Sequence, residues 1–274
     1  MLSIKRFFSS SYSWAGLTLL LPILILMTIG PLISGYSDEA LHLTEKNQPP
    51  SYLFWFGTDD LGRDIFTRVC FGARISISVG LLAATIDLLI GIFWGGIAGL
   101  TGGKTDELLM RSADILYSLP YLLVVILLTV VLGRGLFSIL IAITLFGWIT
   151  MARIVRGQIL LLKNMDYITA AKALGASHSR LLIVHLFPNA MGPILITLTL
   201  TIPSAIFAEA FLSFLGLGIQ APLASLGTMA NEGLSALQFY PWRLFFPSLF
   251  ISLTLLSFHL IGEGLKYTFE KVEE

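Results

Sequence analysis

The sequence predicts an all-α, polytopic membrane protein with about six transmembrane helices. Charged residues make up 12% of the 274 residues, about half the share that is usual in soluble domains. Mean hydropathy is +0.84, and several apolar stretches reach the length of about 20 residues that a helix needs to cross the hydrocarbon layer. The formal net charge is zero, which gives no support for nucleic-acid binding. Cys70 is the single cysteine, so no disulfide can form within the chain.

The predicted spans follow one another along the chain. They lie at residues 14–33, 75–100, 115–132, 136–150, 193–208 and 244–261. The third and fourth spans are joined by a turn at residues 133–135, so we expect them to form an antiparallel pair. Lys5 and Arg6 precede the first span, as they would in a secretory signal peptide. The apolar core of this span is too long for one, however, and no A-x-A-like cleavage site follows it, so we expect an uncleaved anchor.

The apolar stretch 210–230 is not predicted to be a seventh continuous helix. Gly216, Gly218, Pro222 and Gly227 interrupt it, and both residue types disfavour helix interiors. We expect a re-entrant or surface-lying segment. Irregular backbone at membrane depth needs protein or a water-filled cavity around it, and a translocation path would supply such a cavity.

An even number of spans places both termini on one side of the membrane. If that side is the cytoplasm, most of the Lys and Arg residues lie in cytoplasmic segments, as the positive-inside rule requires. The expected divisions are a cytoplasmic tail with the first span (1–34), an external loop with an interfacial helix (35–74), a transmembrane core (75–262) and a cytoplasmic tail (263–274). The core contains a cytoplasmic hairpin at 163–190 and an external irregular segment at 213–243.

Residues 166–190 form a polar, helix-patterned hairpin between two spans. Four residues occur at i, i+3, i+4 and i+7, and so are expected on one face of a short helix: Tyr167, Ala170, Ala171 and Leu174. Gly175 is expected to end that helix in the left-handed conformation, and a second amphipathic run, 180–187, is expected to stop at Pro188. A small-residue face with one aromatic ring suits docking of another protein. The alternative is a solvated loop whose alanines merely favour helix.

One segment matches a permissive phosphate-loop pattern, AGLTGGKT at residues 98–105. A phosphate loop follows a buried strand and opens a helix in an α/β domain. This segment instead ends an apolar span, so we expect a Gly-Gly turn at the membrane surface and no ATP site in this chain.

Acidic residues cluster at 57–78, where Asp59, Asp60 and Asp64 could suggest a calcium site. Their spacing fits no EF-hand loop, so no metal site is predicted. We expect Asp60 and Asp64, with Arg63, to supply a helix cap and ion pairs. Arg68 and Arg74 are expected to snorkel into the headgroup region.

Asp87 and Glu209 fall at or near membrane depth, and His259 is a weaker case. An unpaired charge there costs at least about 2.5 kcal/mol and often marks a pathway, a partner or a proton relay. Hydrogen bonding between helices is the structural alternative. For Glu209 the two interpretations are equally supported, and for Asp87 and His259 the structural one is favoured.

Several segments in order match one family of membrane proteins. They are GTDDLGRDIFTR (57–68), GARISISVG (72–80), RSADILYSLP (111–120), ARIVRGQIL (152–160), LSFLGLGIQAP (212–222) and PWRLFFP (241–247). Together with Ala170, Ala171 and Gly175 of the hairpin and its closing Leu-Phe-Pro, these segments make the chain resemble the membrane permease subunits of bacterial ABC importers. The branch it resembles most serves oligopeptides, dipeptides and nickel, and within it the C-type subunit of a peptide transporter.

The resemblance implies a type I ABC importer permease fold, in which residues 163–190 are the coupling loop. In that family the loop sits in a cleft of a cytoplasmic ATPase dimer, and ATP-driven closure of the dimer switches the spans from inward-facing to outward-facing. The expected contact face is Tyr167, Thr169, Ala170, Ala171 and Leu174, with Gly175 setting the angle of the loop. Thr169 stands where the family usually has a glutamate, so docking there rests on packing and the hydroxyl. Leu226 stands where the branch commonly has a tryptophan.

The resemblance also implies the partners. These are a second homologous permease, two cytoplasmic subunits that bind ATP, a periplasmic or lipid-anchored substrate-binding protein, and the lipid of the bacterial inner membrane. No cofactor and no enzymatic activity are expected in this chain. Small peptides are the expected cargo, with nickel or another small solute as the alternative.

Two other function classes compete with this interpretation. A proton-driven secondary transporter would use Asp87, Glu209 and His259 as its relay. A membrane-embedded enzyme is disfavoured, because the spans carry no close pair of histidines or carboxylates at helical spacing.

Overall fold

The computed structural model describes residues 7–38, 40–220 and 222–270, which are almost entirely helical. The helices are α1 (Ser11–Ser34), α2 (Ile65–Thr101), α3 (Gly103–Tyr117), α4 (Tyr121–Leu132), α5 (Leu136–Leu162), α6 (Asp166–Ala173), α7 (His178–Phe214), α8 (Leu226–Leu234) and α9 (Trp242–Glu270). Within these ranges there is no strand, only an isolated β-bridge between Thr58 and Asp64. Lys5, Arg6 and residues 271–274 of the predicted tails lie outside the described residues.

In the described chain, five helices are long and apolar enough to cross a membrane alone: α1, α2, α5, α7 and α9. Helices α3 and α4 pass the same test together, with a bend of 80° between them. Counting this pair as one span gives six, so the predicted all-α fold with about six spans is confirmed.

The prediction of a single continuous helix at 115–132 is wrong. The chain breaks at residues 118–120, because Pro120 has no N–H to donate and disfavours the α conformation at Leu119 before it. The 12 residues of α4 span about 18 Å, which is shorter than the hydrocarbon layer of about 30 Å. The apolar pattern continues across the break, which explains why periodicity alone missed it.

Glycines allow α2 and α5 to approach closely. Gly91, Gly95 and Gly99 recur every fourth residue on α2. A Cβ at Gly95 would lie 2.3 Å from the carbonyl oxygen of Ala152, and a Cβ at Gly99 would lie 2.8 Å from the Cβ of Ile159. Small residues at this spacing let membrane helices pack by direct van der Waals contact. This pair makes the most extensive helix contact in the described chain.

Both ends of the described chain lie nearest the hairpin. A Cβ at Gly264 of α9 would lie 2.1 Å from the hydroxyl oxygen of Ser13, near the start of α1. A Cβ at Gly192, in the first half of α7, would lie 3.0 Å from the ring of Phe269. We call this the hairpin side and the other the opposite side. The predicted tail at 263–274 begins as a continuation of α9, which remains helical to Glu270.

Buried ion pairs fix the opposite side. Asp59 accepts hydrogen bonds from Arg63 at 2.7 Å and from Arg68 at 2.6 Å, and Arg68 also reaches Glu232 of α8 at 3.0 Å. Burial raises the pKa of Asp59, but the charge of Arg68 and the charge and hydrogen bonds of Arg63 outweigh it, so this pKa lies below its ordinary value. The expectation that Arg68 snorkels is wrong, because its side chain is 4% exposed and its partners are on protein.

The predicted helix cap is present at Asp64. Its carboxylate accepts a hydrogen bond from the backbone N–H of Thr67 at 2.8 Å, and α2 continues from there without interruption. The predicted interfacial helix in 35–74 is therefore the first part of α2 rather than a separate element. Asp60 pairs instead with Arg243 at the start of α9, at 3.0 Å.

The irregular segment 213–243 contains α8, which packs against α7. Helix α7 extends to Phe214, and Gly216 turns the chain with φ +75°. A Cβ at Gly227 would lie 2.3 Å from the carbonyl oxygen of Ala210, and Leu226 is fully buried. The first turns of α8 are therefore packed into the protein, whereas Leu223, Leu237 and Phe239 of the same segment are exposed.

The close contact at Gly95 predicts that alanine destabilises the protein more there than at Gly157. Gly95→Ala should lower the free energy of unfolding by about 1–3 kcal/mol, because its methyl group meets the backbone of α5. Gly157→Ala is the matched control, because a Cβ there has open space around it and alanine favours helix by about 1 kcal/mol. Thermal unfolding of the purified protein in detergent measures both. Equal midpoints for the two variants would contradict the close contact.

The buried ion pairs predict a second asymmetry. Arg68→Met should destabilise the protein by about 3 kcal/mol, because it leaves the buried carboxylate of Asp59 short of a partner. Arg111→Met is the control, since Arg111 and Glu107 form a pair whose side chains are 70% and 66% exposed and such pairs contribute less than about 1 kcal/mol. The same unfolding assay compares them, and a similar small loss in both variants would refute the role of the buried pair.

Candidate functional site

The turn of the hairpin is closed by backbone hydrogen bonds. Helix α6 ends at Ala173, and Gly175 takes φ +82°, which is left-handed as predicted. The N–H of Gly175 bonds to the carbonyl of Lys172, and the N–H of Ala176 bonds to that of Ala171. This pair of bonds is the Schellman motif, which satisfies carbonyls that a helix end leaves free.

Helix α6 divides into an anchoring face and an exposed face. Ile168 is fully buried, and Ala171, three residues later on the same face, packs with it against the cluster formed by α5 and α7. Tyr167, Ala170 and Leu174 are exposed, Leu174 by 89%. The prediction that all four patterned residues share one outward face is therefore wrong for Ala171, which lies half-buried at its inner border.

Thr169 is also exposed, and its hydroxyl lies 3.5 Å from the carbonyl oxygen of Met165 in its own helix. The described hairpin thus presents Tyr167, Thr169, Ala170 and Leu174 outward, on a base held by Ile168.

The second half of the hairpin is continuous with a span. Residues Leu181–Leu186 form a π-helical segment, and the N–H of Phe187 bonds to the carbonyl of Leu182, five residues back. The expectation that Pro188 stops this run is wrong, because proline is tolerated in the first turn of the α-helical part that follows. Helix α7 therefore carries the hairpin directly into the membrane.

Charged groups brace the base of the hairpin against α3. Arg156 of α5 donates two hydrogen bonds to Asp106, at 2.5 and 2.7 Å. Lys163 donates to the carbonyl oxygen of Gly99 at the end of α2, at 3.0 Å. Paired N–H groups of arginine hold a carboxylate in a fixed orientation, so α2, α3 and α5 meet rigidly where the hairpin begins.

The phosphate-loop-like segment is a turn between two helices. Gly102 and Gly103 have φ +67° and +56°, and they connect α2 directly to α3. Within the described ranges, no group of three or more His, Cys, Asp or Glu side chains is arranged to hold a metal ion.

A cavity of about 460 Å³ lies between α2, α4, α5 and α7. Asp87 is the only charged side chain among its lining residues, all of which are in the described chain. Its polar lining residues are Asp87, Tyr121, Thr150, Thr197, Thr201 and Ser204. Three of the hydroxyls donate to carbonyls of their own helix: Thr197 at 2.8 Å, Thr201 at 2.9 Å and Ser204 at 2.9 Å.

The structure separates the two acidic candidates within the membrane. Asp87 is 1% exposed and lies on the cavity wall. Glu209 is fully buried and is not a lining residue; its carboxylate accepts hydrogen bonds from Ser76 at 2.6 Å and Ser213 at 2.7 Å. The hydroxyl oxygen of Ser76 in turn lies 3.4 Å from the N–H of Leu226 at the start of α8. Glu209 thus joins α2, α7 and α8, while His259 is exposed on α9.

A family model described as "Binding-protein-dependent transport system inner membrane component" matches residues 91–271, a range that includes the hairpin, α7 to α9 and most of the cavity wall. The chain belongs to this family. It is a permease, a component of a transport system and a multi-pass inner-membrane protein, and its resemblance to bacterial ABC importer permeases is confirmed.

Similar permeases extend the match over almost the whole chain. The oligopeptide transport system permease protein OppC of Bacillus subtilis (strain 168) is 57% identical over 264 residues, covering 96% of this chain and 87% of the relative. The dipeptide transport system permease protein DppC of the same organism is 54% identical over 263 residues, covering 96% and 82%.

Solved structures confirm the fold of the permease. A structure described as inward-facing conformations of the MetNI methionine ABC transporter superposes with a TM-score of 0.60 at 16% identity, covering 70% of this chain and 91% of that one. An amino acid ABC transporter gives a TM-score of 0.55 at 18% identity, covering 71% and 91%.

Two features of the permease site were not predicted from sequence. Tyr121 reaches the cavity because the break before α4 turns the chain by 80°, and the only available signal was Pro120. The pair of Asp106 and Arg156 joins residues 50 positions apart, and no local pattern indicates such a partner.

Proposed function

We propose that this permease forms half of the translocation pathway of an ATP-driven, binding-protein-dependent importer of oligopeptides or dipeptides. A second, homologous permease completes the pathway, and a periplasmic or lipid-anchored binding protein delivers the cargo. Two cytoplasmic subunits bind and hydrolyse ATP, so the permease itself binds no nucleotide and catalyses no reaction. Support for peptides as cargo comes from the two Bacillus subtilis relatives, whose names specify oligopeptide and dipeptide transport.

The exposed face of α6 is the observation that carries the coupling role. Tyr167, Ala170 and Leu174 are exposed although two of them are large and apolar or aromatic. Ile168 anchors the other face, and the Schellman turn at Gly175 fixes the end of the helix. A rigid apolar protrusion suits insertion into a cleft of an ATP-binding subunit, because little conformational freedom is lost when it docks.

The hairpin is continuous with two of the helices that line the cavity. Helix α5 enters the hairpin and helix α7 leaves it, and both line the cavity around Asp87. A displacement of the hairpin would therefore move these two walls together. In this proposal the cavity is the share of the pathway that this chain contributes.

A proton-driven transporter receives less support. A relay through Asp87, Glu209 and His259 would need these groups along one path. Glu209 instead holds two serine hydroxyls outside the cavity lining, and His259 is exposed on α9. Nickel and other small solutes remain alternative cargoes that a transport assay distinguishes from peptides.

Bulk at Ala170 tests the docking surface. In the complete transporter reconstituted in liposomes, Ala170→Trp should reduce peptide uptake and transport-stimulated ATP hydrolysis about tenfold or more, because a large side chain cannot enter a cleft shaped for a methyl group. Ala170 is exposed, so membrane insertion should be unchanged.

Ala170→Ser is the matched control and should retain both activities. Ala171→Trp is a poorer test, because Ala171 packs against the protein's own core. Full uptake and hydrolysis with tryptophan at position 170 would remove the hairpin from the mechanism.

The proposed orientation places both termini and the hairpin in the cytoplasm. We expect Ser235→Cys, on the opposite side, to react with an impermeant maleimide in right-side-out membrane vesicles, and Lys172→Cys to react only after the vesicles are opened. Both positions are exposed, and native Cys70 is fully buried. The reverse labelling pattern would place the hairpin outside and end the proposal.

A further inference from the structure

We propose that Asp87 and Tyr121 form a site in the cavity between α2, α4, α5 and α7, and that this site binds the protonated amino group of the cargo. The inference rests on the proposed function and specifies which part of a peptide the pathway holds. The relevant chemistry is that of a primary ammonium, which donates hydrogen bonds and carries one positive charge.

Two residues of the cavity wall each carry a buried polar atom without a protein partner. Among the residues that the structure describes, neither Oδ1 of Asp87 nor the phenolic oxygen of Tyr121 has a hydrogen-bond partner, and both atoms are inaccessible to solvent. Both residues line the same cavity, although they belong to different helices, α2 and α4. A buried polar group without a partner carries a free-energy cost of about 1–3 kcal/mol. A ligand would remove this cost once the two side chains turn towards the cavity, because both atoms are covered in this structure.

The position of the carboxylate depends on a glycine. A Cβ at Gly147 of α5 would lie 2.0 Å from Oδ2 of Asp87, so any larger residue would displace the acidic group from its place. Gly147 also lines the cavity. The close approach of α2 and α5 thus packs both carboxylate oxygens against Gly147, and Oδ1 has no protein partner.

The lining selects a cation over other ligands. It includes the carboxyl group of Asp87 but no Lys, Arg or His from the described chain, so a bound ammonium would supply the counter-charge that an ionised Asp87 lacks there. The rings of Tyr121 and Phe146 both line the cavity, with their centroids 5.4 Å apart. Carboxylates attract ammonium groups directly, and aromatic rings attract cations through their faces.

The other polar groups of the cavity are poorly suited to recognition. The hydroxyls of Thr197, Thr201 and Ser204 each donate to their own helix, and most of the remaining wall is apolar. The amino terminus is common to every unmodified peptide, whatever its side chains. One carboxylate can therefore hold all such cargo, which suits a pathway that must accept many sequences.

Glu209 is the other buried acidic residue within the membrane, and it differs from Asp87 in its hydrogen bonding. It is equally buried, but Ser76 and Ser213 occupy its two oxygens. It therefore has no oxygen left unpaired for a ligand, and it does not line the cavity.

The test is a comparison of two permeases with two peptides in the reconstituted transporter. The peptides are trialanine and its desamino analogue, propionyl-alanyl-alanine, each supplied at a concentration that saturates the binding protein. The permeases are the wild type and Asp87→Asn, which keeps the size of the side chain and removes its charge. Any preference of the binding protein cancels, because the same binding protein serves both permeases.

We expect Asp87→Asn to lower uptake of trialanine about tenfold, as the loss of a charge-assisted hydrogen bond predicts, and to leave uptake of the desamino peptide unchanged. Tyr121→Phe, which removes one oxygen and keeps the ring, should act in the same direction with a smaller effect. Thr144→Val, which lies outside the cavity lining, is the control and should treat both peptides as the wild type does, because the hydroxyl of Thr144 bonds to its own helix at 2.8 Å.

An equal loss with both peptides would assign Asp87 a structural role and overturn the inference, as would full uptake of trialanine by Asp87→Asn. Both outcomes leave the proposed function intact, since the wild type still imports peptides. A wild-type transporter that carries neither peptide would instead contradict the proposed function itself, and the inference with it.

Discussion

The close contact between α2 and α5 is the constraint on which the rest of the structure depends. Glycines at 91, 95 and 99 bring the backbone of α2 against Ala152 and Ile159 of α5. In the opposite direction, Gly147 of α5 makes room for the carboxylate of Asp87. Each helix therefore contributes glycines where the other helix approaches it closely. Because the interior of a helix pair is close-packed, a single added methyl group at this contact shifts everything attached to it.

This contact links features at three depths of the molecule. At the opposite side, α2 begins at the cap formed by Asp64, and its Arg68 belongs to the buried ion pairs. Further along the helix, Asp87 lies on the cavity wall. At the hairpin side its last turn receives Lys163 from the end of α5. A helix of 37 residues is about 55 Å long, so α2 extends past the hydrocarbon layer. Coupling between sides needs rigid elements of this kind, which move as units rather than bend.

Helix α7 differs from α2 in having a weak point beside the hairpin. The π-helical segment Leu181–Leu186 changes the hydrogen-bond partner of each N–H, and Pro188 follows it without an N–H to donate. Pro193 and Pro203 lie further along the same helix. Such sites are where helices bend. The hairpin is thus joined to the cavity by α5, which is one α-helix without an internal proline, and by α7, which is able to flex, so that a push on α6 would change the angle between them.

The sequence predicted those parts of the molecule that local chemistry decides. Length and hydropathy predicted the spans, and Gly175 predicted the left-handed end of α6, because only one residue type takes that conformation without strain. Two of the errors, at Ala171 and Arg68, depend on parts of the protein far away in the chain. Ala171 turns inward because Ile168, on the same face, is buried against α5 and α7. Arg68 stays inside because Asp59 and Glu232 surround it.

The two acidic residues in the membrane show why depth alone does not assign a function. Asp87 and Glu209 are both buried carboxyl groups on long apolar helices, and the sequence alone favoured the structural interpretation for Asp87 and left both interpretations open for Glu209. What separates them is whether other helices supply donors. Glu209 meets Ser76 across the α2–α7 contact and has Ser213 one turn away, so its hydrogen-bonding capacity serves the fold. Asp87 meets a glycine instead, and a glycine side chain donates nothing. A carboxylate that the fold leaves unpaired beside a cavity is available to whatever enters that cavity, and a positively charged group gains most by binding to it.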